Sequence, residues 1–224
     1  MARTTPEKAD ILTPETAMSF PFRALAISPP DLLKNARPLA AFRQWQVEAL
    51  ARGADALMLR THGVDRSLVQ TLLQTLDDRY PREDRPFRLI LNHYEVAQAL
   101  LSGDLSLTFP LNTLDGFHLT RHHALPRKGY LHEAWGLRPL LGRSCHSLEE
   151  VVALKEQNGD YALLSPIFPT QTHPDAAPLW PEGLEAIAGQ VEIPIIALGG
   201  ITEANEVFAR DAGAVAVAGI SRFL

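Results

Sequence analysis

The sequence has a single cysteine, Cys145, among 224 residues, which excludes an internal disulfide bond. Proteins without disulfides are typical of reducing compartments, so we expect a cytoplasmic location. No apolar run approaches the ~20 residues of a membrane helix, and the first residues lack a signal-peptide core. The formal net charge of -5 leaves no basic excess for tracking nucleic-acid phosphates. We therefore expect a globular protein that binds neither nucleic acid nor membrane.

Internal repeats, low-complexity tracts and linker-like stretches are also absent, which predicts a single domain. A chain of 224 residues is long enough for one α/β barrel or one doubly wound domain. We predict that residues 1–19, which mix charges with Thr and Pro, form a flexible lead-in and that residues 20–224 form the folded domain. The histidines show no zinc-site spacing such as His-Glu-x-x-His, so solvated or ligand-contacting histidines are expected instead of a metal site.

Eight short apolar runs alternate with segments of helical spacing, an order that fits a (β/α)8 TIM barrel better than an open sheet. The predicted strands are 23–28, 54–60, 88–91, 116–119, 138–142, 160–164, 193–198 and 215–219. No helical segment follows the last strand, so we predict an α/β barrel that lacks the eighth helix. The lead-in or a second subunit would cover that gap, which leaves a homodimer open.

The seventh predicted strand ends at Gly199 and Gly200, and a helix-like segment begins at Glu203. Two glycines at such a turn let the backbone approach a ligand, and a helix N-terminus offers free N–H groups to an anion. The eighth predicted strand ends at Ile220 and Ser221. Because neighbouring strand ends of a barrel meet at its C-terminal rim, these two glycines, Ile220 and Ser221 are predicted to form one phosphate cup.

Polar side chains follow the other predicted strands and are expected at the same rim. Their convergence from several loops predicts a ligand-binding mouth, although a solvated surface position is the plainer interpretation of any one residue. The residues predicted to contact a substrate are Arg60, Asn92, His93, His123, Ser144, Ser165, Thr170, Thr172 and His173.

His146 is the most informative titratable residue of this rim. It lies just before a predicted helix that begins at Ser147, and it belongs to no periodic apolar stripe. An imidazole at such a place can give and take a proton near neutral pH. The alternative, that His146 caps the helix or packs beneath the loop, stays open from the residues alone. Its neighbour Cys145 would face the opposite way at a strand end, which predicts a small buried residue and not a nucleophile.

The second half of the chain carries an ordered series of short motifs: Asp160-Tyr161-x-x-x-Ser165-Pro166-x-Phe168-Pro169-Thr170-x-Thr172, Gly183-Leu184-Glu185, Ala197-Leu198-Gly199-Gly200-Ile201, and Ala212-Gly213-Ala214 with Ser221. This series resembles the thiamine-phosphate synthase/TenI superfamily, most densely over residues 142–221. The resemblance implies a TIM barrel that binds a thiazole phosphate, with the phosphate on the Gly-Gly turn and at the end of the last strand. That expectation agrees with the cup inferred from the glycines.

The superfamily contains two activities, and the chain departs from the pattern of one of them. The synthase joins a pyrimidine pyrophosphate to the thiazole phosphate and needs Mg²⁺. Its pattern has two carboxylate metal ligands where this chain has His93 and His123, and two lysines where it has His62 and His173. Mg²⁺ prefers oxygen ligands, so imidazoles replace them poorly. These departures argue against the synthase reaction.

The segment Arg143-Ser144-Cys145-His146-Ser147 resembles the part of the TenI group that carries its acid/base histidine. That group isomerises a carboxylated thiazole phosphate from an exocyclic form to the aromatic tautomer. We therefore predict a thiazole tautomerase of thiamine biosynthesis, with His146 as catalytic residue, no metal and no cofactor. A divergent thiamine-phosphate synthase and a non-catalytic thiazole-phosphate-binding protein are the alternatives. Synthases carry a similar Ser-x-His-Ser, so His146 alone does not separate the two activities.

Overall fold

The structure is a computed structural model that describes residues 20–82, 84–102, 113–125, 139–172 and 174–224. Eight parallel strands close into one barrel, in which each strand pairs with its sequence neighbours and the last pairs with the first. The strands are β1 (Ala24–Ile27), β2 (Ala56–Arg60), β3 (Arg88–Asn92), β4 (Gly116–Leu119), β5 (Leu140–Cys145), β6 (Tyr161–Leu164), β7 (Ile195–Leu198) and β8 (Ala216–Gly219). The predicted TIM barrel is confirmed.

Helices surround this barrel in the part of the chain that the structure describes. They are α1 (Pro38–Ala51), α2 (Arg66–Arg79), α3 (Tyr94–Leu101), α4 (Leu148–Glu156), α5 (Trp180–Ala188) and α6 (Glu206–Asp211). None of the helices in the described ranges is long and apolar enough to cross a membrane. After β8 the chain forms the short 3-10 helix Ser221–Phe223. The lead-in, residues 1–19, lies outside the described residues and stays a prediction.

Local sequence signals account for several helix ends. Pro38 occupies the first turn of α1, where its missing N–H costs no hydrogen bond. Gly53 follows α1 with φ of 85°, a conformation that glycine adopts without a Cβ penalty. The Asp65 side chain caps α2 by accepting a hydrogen bond from the Ser67 amide at 2.8 Å. Local chemistry therefore fixes these ends independently of packing.

Side chains alternate along each strand between the barrel interior and the helical layer. The interior cluster includes Leu25, Met58 and Ile196, all at most 1% exposed. Two further clusters lie between the barrel and the helices, one around α1 and α2 and one around α4 and α5. Strands that are buried on both faces explain why the sequence shows continuous apolar runs and not alternation.

Tyr161 fills the barrel interior opposite a glycine. A Cβ atom on Gly142 would lie 2.0 Å from the Tyr161 ring, so only glycine leaves room for that ring. Phe20 and Phe22 close the amino-terminal end of the barrel with edge-on contacts to Tyr161, at ring-centroid distances of 6.1 and 6.3 Å. Aromatic side chains therefore fill the barrel interior around Tyr161, below the carboxyl ends of the strands.

The paired strands β8 and β1 each pack against neighbouring helices. Ala26 of β1 packs in one cluster with Phe42 of α1, and Val217 of β8 packs in another with Ala209 of α6. Ala26 and Val217 are fully buried. What covers the place of an eighth helix, the lead-in or a second subunit, stays a prediction.

Asp115 is a buried carboxylate at the amino-terminal end of β4, and its side chain is 3% exposed. Arg82 and Arg88 each lie 3.1 Å from its Oδ1 atom. Arg85 donates to Oδ2, and the Leu89 amide donates to the same oxygen at 2.8 Å. This carboxylate joins the loop before β3 to the start of β4.

We expect Asp115→Asn to lower the free energy of unfolding by about 3–5 kcal/mol, because the Arg85 guanidinium would lose its charged partner while buried. Urea unfolding of both proteins at pH 7 measures the difference. Asp31→Asn is the control, since Asp31 pairs with Lys34 on the surface and should change the midpoint little. Equal midpoints for Asp115→Asn and the wild type would contradict this account of the cluster.

Candidate functional site at the carboxyl ends of the strands

The carboxyl ends of the strands open into a cavity of about 1080 Å³. Ligand pockets commonly measure roughly 300–1,000 Å³, so this cavity has room for a small phosphorylated molecule. The predicted site residues that line it are Arg60, Asn92, Ser144, His146, Ser165, Thr170, Thr172, Gly199, Gly200, Ile220 and Ser221. The structure thus brings most of the predicted site together at one mouth.

Two predicted substrate contacts, His93 and His123, do not line the cavity. His93 is buried just before α3, where its Nδ1 atom accepts a hydrogen bond from the Val96 amide at 3.4 Å. His123 stacks on Tyr94 with ring centroids 3.8 Å apart and ring planes at 8°. Both rings are therefore engaged by α3 and do not face the cavity. His173 lies outside the described residues, so its role remains a prediction.

His146 directly follows β5, is exposed and lines the cavity. Its Nδ1 atom lies 2.7 Å from the carbonyl oxygen of Ser165. A carbonyl oxygen only accepts hydrogen bonds, so Nδ1 carries the proton of the neutral ring and Nε2 carries the lone pair. No group among the described residues bonds Nε2. The ring is therefore prepared to take up a proton at Nε2.

The backbone of His146 is held by the first turn of α4. Its amide donates to the Glu150 Oε2 atom at 2.7 Å, and the Glu150 amide in turn donates to the Ser147 hydroxyl at 3.4 Å. This arrangement resembles a capping box shifted by one residue. The same Glu150 carboxylate lies 3.9 Å from Nη1 of Arg121, which also lines the cavity. Glu150 therefore links the His146 backbone to a cationic residue of the cavity wall.

The predicted phosphate cup has unpaired amide groups. The amides of Gly199, Gly200 and Ile220 donate to no acceptor among the described residues. Gly199 and Gly200 have φ of 97° and 63°, and β7 and β8 pair directly beneath them. Successive free N–H groups at two adjacent strand ends form a concavity suited to an anion.

The predicted helix N-terminus at the glycine turn is wrong. The helix α6 begins at Glu206, three residues later than expected, because Asn205 reshapes the intervening turn. The Asn205 side chain accepts from the Thr202 amide at 2.7 Å and donates to the Gly200 carbonyl at 2.9 Å. Turn amides, and not the end of a helix, therefore supply the N–H groups of the cup.

A hydrogen-bonded chain at the floor of the cavity was not predicted. His118, fully buried in β4, has Nδ1 3.2 Å from the Tyr161 hydroxyl and Nε2 3.0 Å from the Ser144 hydroxyl. Ser144 belongs to β5, which extends to Cys145 and not only to residue 142. The sequence contained a signal for this chain. His118 stands between the apolar residues Phe117 and Leu119 of β4, and neighbouring residues of a strand face opposite sides.

Burial favours the neutral form of three histidines near the cavity, His62, His93 and His118. It lowers the pKa of His118 from 6.5 to about 3, since the charged ring would lose its water. The pKa of His62 is lowered first by burial and then by the charge of Arg60. Burial also lowers the pKa of His93. These three rings therefore contribute no positive charge to the mouth at pH 7.

We expect His118 alone to reduce the free energy of unfolding by about 2 kcal/mol between pH 7 and pH 5. Its pKa is about 3 in the folded chain and 6.5 as a free side chain, so the unfolded chain binds the proton first as the pH falls. Urea unfolding at both pH values measures this loss. His118→Gln removes the titration and should show a correspondingly smaller loss. An unchanged pH dependence in His118→Gln would contradict the burial argument.

The prediction for Cys145 is confirmed. Its side chain is fully buried, and Sγ lies 3.7 Å from the Arg143 carbonyl oxygen. Burial raises the pKa of the thiol to about 11, so it is uncharged at neutral pH. A thiolate nucleophile is not available at this position.

The fold and the cavity define an α/β-barrel protein whose candidate site lies at the carboxyl ends of the strands. Residues 29–223 match the family model TMP-TENI, described as thiamine monophosphate synthase. The chain therefore belongs to this family of thiamine biosynthesis. The recognition based on the motifs of the second half is confirmed at the level of the superfamily.

Curated relatives carry related names. The chain is 32% identical over 182 residues to a putative thiamine-phosphate synthase of Geobacter sulfurreducens, covering 79% of this chain and 76% of the relative. It is 41% identical over 85 residues to the putative thiamine-phosphate synthase 2 of Aquifex aeolicus and 46% identical over 83 residues to a thiamine-phosphate synthase of Chloroflexus aurantiacus. Those two matches cover 38% and 37% of this chain. The chain spans less than half the length of these last two relatives, 46% and 38%.

A solved structure shares the fold. The thiamine phosphate pyrophosphorylase of Pyrococcus furiosus superposes with a TM-score of 0.59 at 24% identity, covering 89% of this chain and 86% of that one. At this identity the likeness supports the barrel fold alone.

Proposed function

We propose that the chain isomerises a thiazole carboxylate phosphate by proton transfer, without a metal ion. The observation that carries this proposal is the His146 ring, whose Nδ1 atom is bonded to the Ser165 carbonyl at 2.7 Å in the same cavity as the free amides of the cup. A bonded Nδ1 leaves Nε2 as the base. The proposed phosphate site lies on the cup, so both groups act on one bound molecule.

In the proposed reaction His146 removes a proton from one carbon of the substrate and a proton is returned to another, so that only hydrogen and double bonds move. The imidazolium that forms would be stabilised by the Ser165 carbonyl and by the Glu150 carboxylate, which accepts a hydrogen bond from the His146 amide at 2.7 Å. Arg121, 3.9 Å from the Glu150 carboxylate, is suited to the carboxylate of the substrate. The substrate would then be held by its two anionic ends.

The residues present fit Mg²⁺ poorly. Where the synthase pattern has carboxylate ligands, His93 and His123 offer imidazoles, whose Nδ1 atoms already contact the Val96 amide at 3.4 Å and the Thr120 hydroxyl at 3.0 Å. Among the described residues that line the cavity, Asp175 is the only acid. Mg²⁺ binds oxygen ligands in near-octahedral geometry, which this set does not provide. No step of the proposed reaction passes through a metal ion.

The second candidate is thiamine-phosphate synthase, and the names of the curated relatives favour it. The glycine cup would serve the thiazole phosphate in that reaction as well. Mg²⁺-dependent release of pyrophosphate from the pyrimidine pyrophosphate and the thiazole phosphate would establish it. In that case the imidazoles of His93 and His123 would not prevent the Mg²⁺-dependent reaction.

The purified chain tests the first candidate when it is given the exocyclic thiazole carboxylate phosphate in excess chelator. We expect conversion to the aromatic tautomer well above the buffer rate, with no change when Mg²⁺ replaces the chelator. Absence of conversion under both conditions would refute the proposal. Binding of the thiazole phosphate without any turnover would identify a non-catalytic binding protein instead.

A further inference from the structure

The Arg222 side chain lies directly behind the cup and joins its two halves. One half is the turn after β7, which carries Gly199 and Gly200, and the other is the end of β8 with Ile220. β7 and β8 pair as far as Leu198 and Ala218, so the placement of the cup residues beyond that pair depends on the contacts that the two turns make. Arg222 follows the β8 half in the 3-10 helix Ser221–Phe223, and its side chain is only 11% exposed.

The guanidinium of Arg222 contacts three groups that do not belong to its own strand end. Its Nε atom lies 3.3 Å from the Glu206 carboxylate and Nη2 lies 3.4 Å from the Glu203 carboxylate. Both glutamates follow the glycine turn of the β7 half. Nη1 donates to the carbonyl oxygen of Arg52, after α1, at 3.4 Å. One side chain therefore connects both halves of the cup to the end of a neighbouring helix.

The chain folds back tightly at the β8 half. A Cβ atom on Gly219 would lie 2.8 Å from Cβ of Arg222, so a side chain at 219 would displace the arginine. The guanidinium carbon also lies 5.0 Å from the centre of the Phe223 ring, which is 1% exposed. Gly219 and Phe223 therefore limit the space of the Arg222 side chain, and Glu206 is its better buried partner, because the Glu203 side chain is 80% exposed.

We propose that Arg222 is a positioning residue that sets the separation between the two halves of the cup. The inference rests on the proposed function, because it takes the cup to hold a phosphate. The groups offered to the anion are the amides of Gly199, Gly200 and Ile220. Arg222 does not contact the anion in this proposal; it positions these amides through its ion pairs with Glu203 and Glu206 and through its place in the chain just after Ile220. The planar guanidinium can bridge two carboxylates at once, which a lysine ammonium does with poorer geometry.

The two glutamates add an electrostatic part to this role. If Arg222 were removed, the carboxylates of Glu203 and Glu206 would lose the positive charge that they share. Like charges repel, so the loss of the arginine would weaken anion binding by charge as well as by geometry. In this proposal Arg222 supports anion binding in the cup without contacting the ligand.

The test compares Arg222→Ala, Arg222→Lys and Arg210→Ala with the wild type by titration calorimetry with the thiazole phosphate and with inorganic phosphate. Arg210 is the matched control, because it lies on α6, has Nη2 3.9 Å from the same Glu206 and bonds the Arg23 carbonyl, away from the cup. For Arg222→Ala we expect Kd and KM to rise about tenfold with kcat nearly unchanged. Arg222→Lys should be intermediate, and Arg210→Ala should bind like the wild type.

Equal affinities of wild type and Arg222→Ala would overturn the proposal, and so would a loss that Arg210→Ala reproduces at a similar melting temperature. Weakened phosphate binding in Arg222→Ala, with no tautomerisation by the wild type, would refute the proposed reaction and leave the role of Arg222 supported. A wild type that binds neither phosphate probe would overturn the cup and this role together. The outcomes therefore distinguish a failure of the Arg222 role from a failure of the proposed reaction.

Discussion

The His146→Asn variant is expected to isomerise the thiazole carboxylate phosphate about 10²–10⁴-fold more slowly than the wild type, the usual cost of losing one general acid or base. Asparagine keeps a polar side chain at the rim but has no group that accepts a proton near neutral pH. His146 is exposed, and among the described residues its ring bonds only Ser165, through the carbonyl at 2.7 Å and the hydroxyl at 3.5 Å, so the melting temperature should change little. Initial rates at saturating substrate measure the effect.

The control for this variant is His122→Asn. His122 is exposed, lines the same cavity and accepts a hydrogen bond from Nε of Arg121 at 3.3 Å. It is an imidazole of the same mouth without an assigned proton-transfer role, so its loss should leave most of the rate. A His146→Asn variant as fast as the wild type would remove His146 from the mechanism. Equal losses in both variants would point to a general effect of the rim.

Gly200→Ala is expected to damage both stability and phosphate binding. The residue has φ of 63°, so any side chain costs about 1 kcal/mol in conformation. In addition, its Cβ atom would lie 2.4 Å from the Pro169 carbonyl oxygen and 2.8 Å from Cβ of Phe168, and relieving such overlap costs about 1–3 kcal/mol more. Moving the turn displaces the amides of the cup. We expect Kd for the thiazole phosphate to rise about tenfold or more.

Gly53→Ala separates the two costs of that substitution. Gly53 has φ of 85°, and nothing lies within 4 Å of its Cβ position. It follows α1, and its open Cβ position means that alanine there adds the conformational cost without steric overlap at the cup. Urea midpoints and calorimetric affinities of the two variants test the comparison. If Gly53→Ala and Gly200→Ala lower the stability equally and bind the thiazole phosphate equally well, steric overlap at Gly200 does not weaken the cup, and the prediction is wrong.

The barrel and the glycine cup were predictable because each rests on a local signal. Apolar runs buried on both faces identify the strands of a parallel sheet, and Gly199 and Gly200 have positive φ, where other residues are strained. The order of the elements then places all carboxyl ends of the strands at one rim. Nothing beyond chain order was needed to predict that the residues of the cup converge.

The end of β5 was mispredicted because its continuation is polar. Arg143 is 7% exposed, and its guanidinium contacts the Gln157 side chain and the Glu150 carbonyl, both at 3.3 Å. A buried arginine is acceptable there only because α4 supplies these acceptors, and that is a tertiary contact. The sequence pattern shows the polar residue but not its partners.

The orientation of the mouth histidines could not be predicted for a similar reason. His93 and His123 follow strand ends, and position in the chain places them at the rim. Their rings instead contact α3, one through the Val96 amide and the other by stacking on Tyr94. Loop conformation decides which side of a rim residue faces the cavity, and no periodic pattern encodes it. The functional interpretation of these two residues therefore depended on the structure.

The most direct test of the central claim is deuterium incorporation in D₂O with excess chelator, followed by NMR of the thiazole carboxylate phosphate. Proton transfer by His146 without a metal predicts that the wild type produces the aromatic tautomer with solvent deuterium at the carbon that is protonated. It also predicts that His146→Asn falls toward the buffer rate. The account is contradicted if the chain leaves the substrate unchanged in chelator and, supplied with Mg²⁺ and the pyrimidine pyrophosphate, releases pyrophosphate.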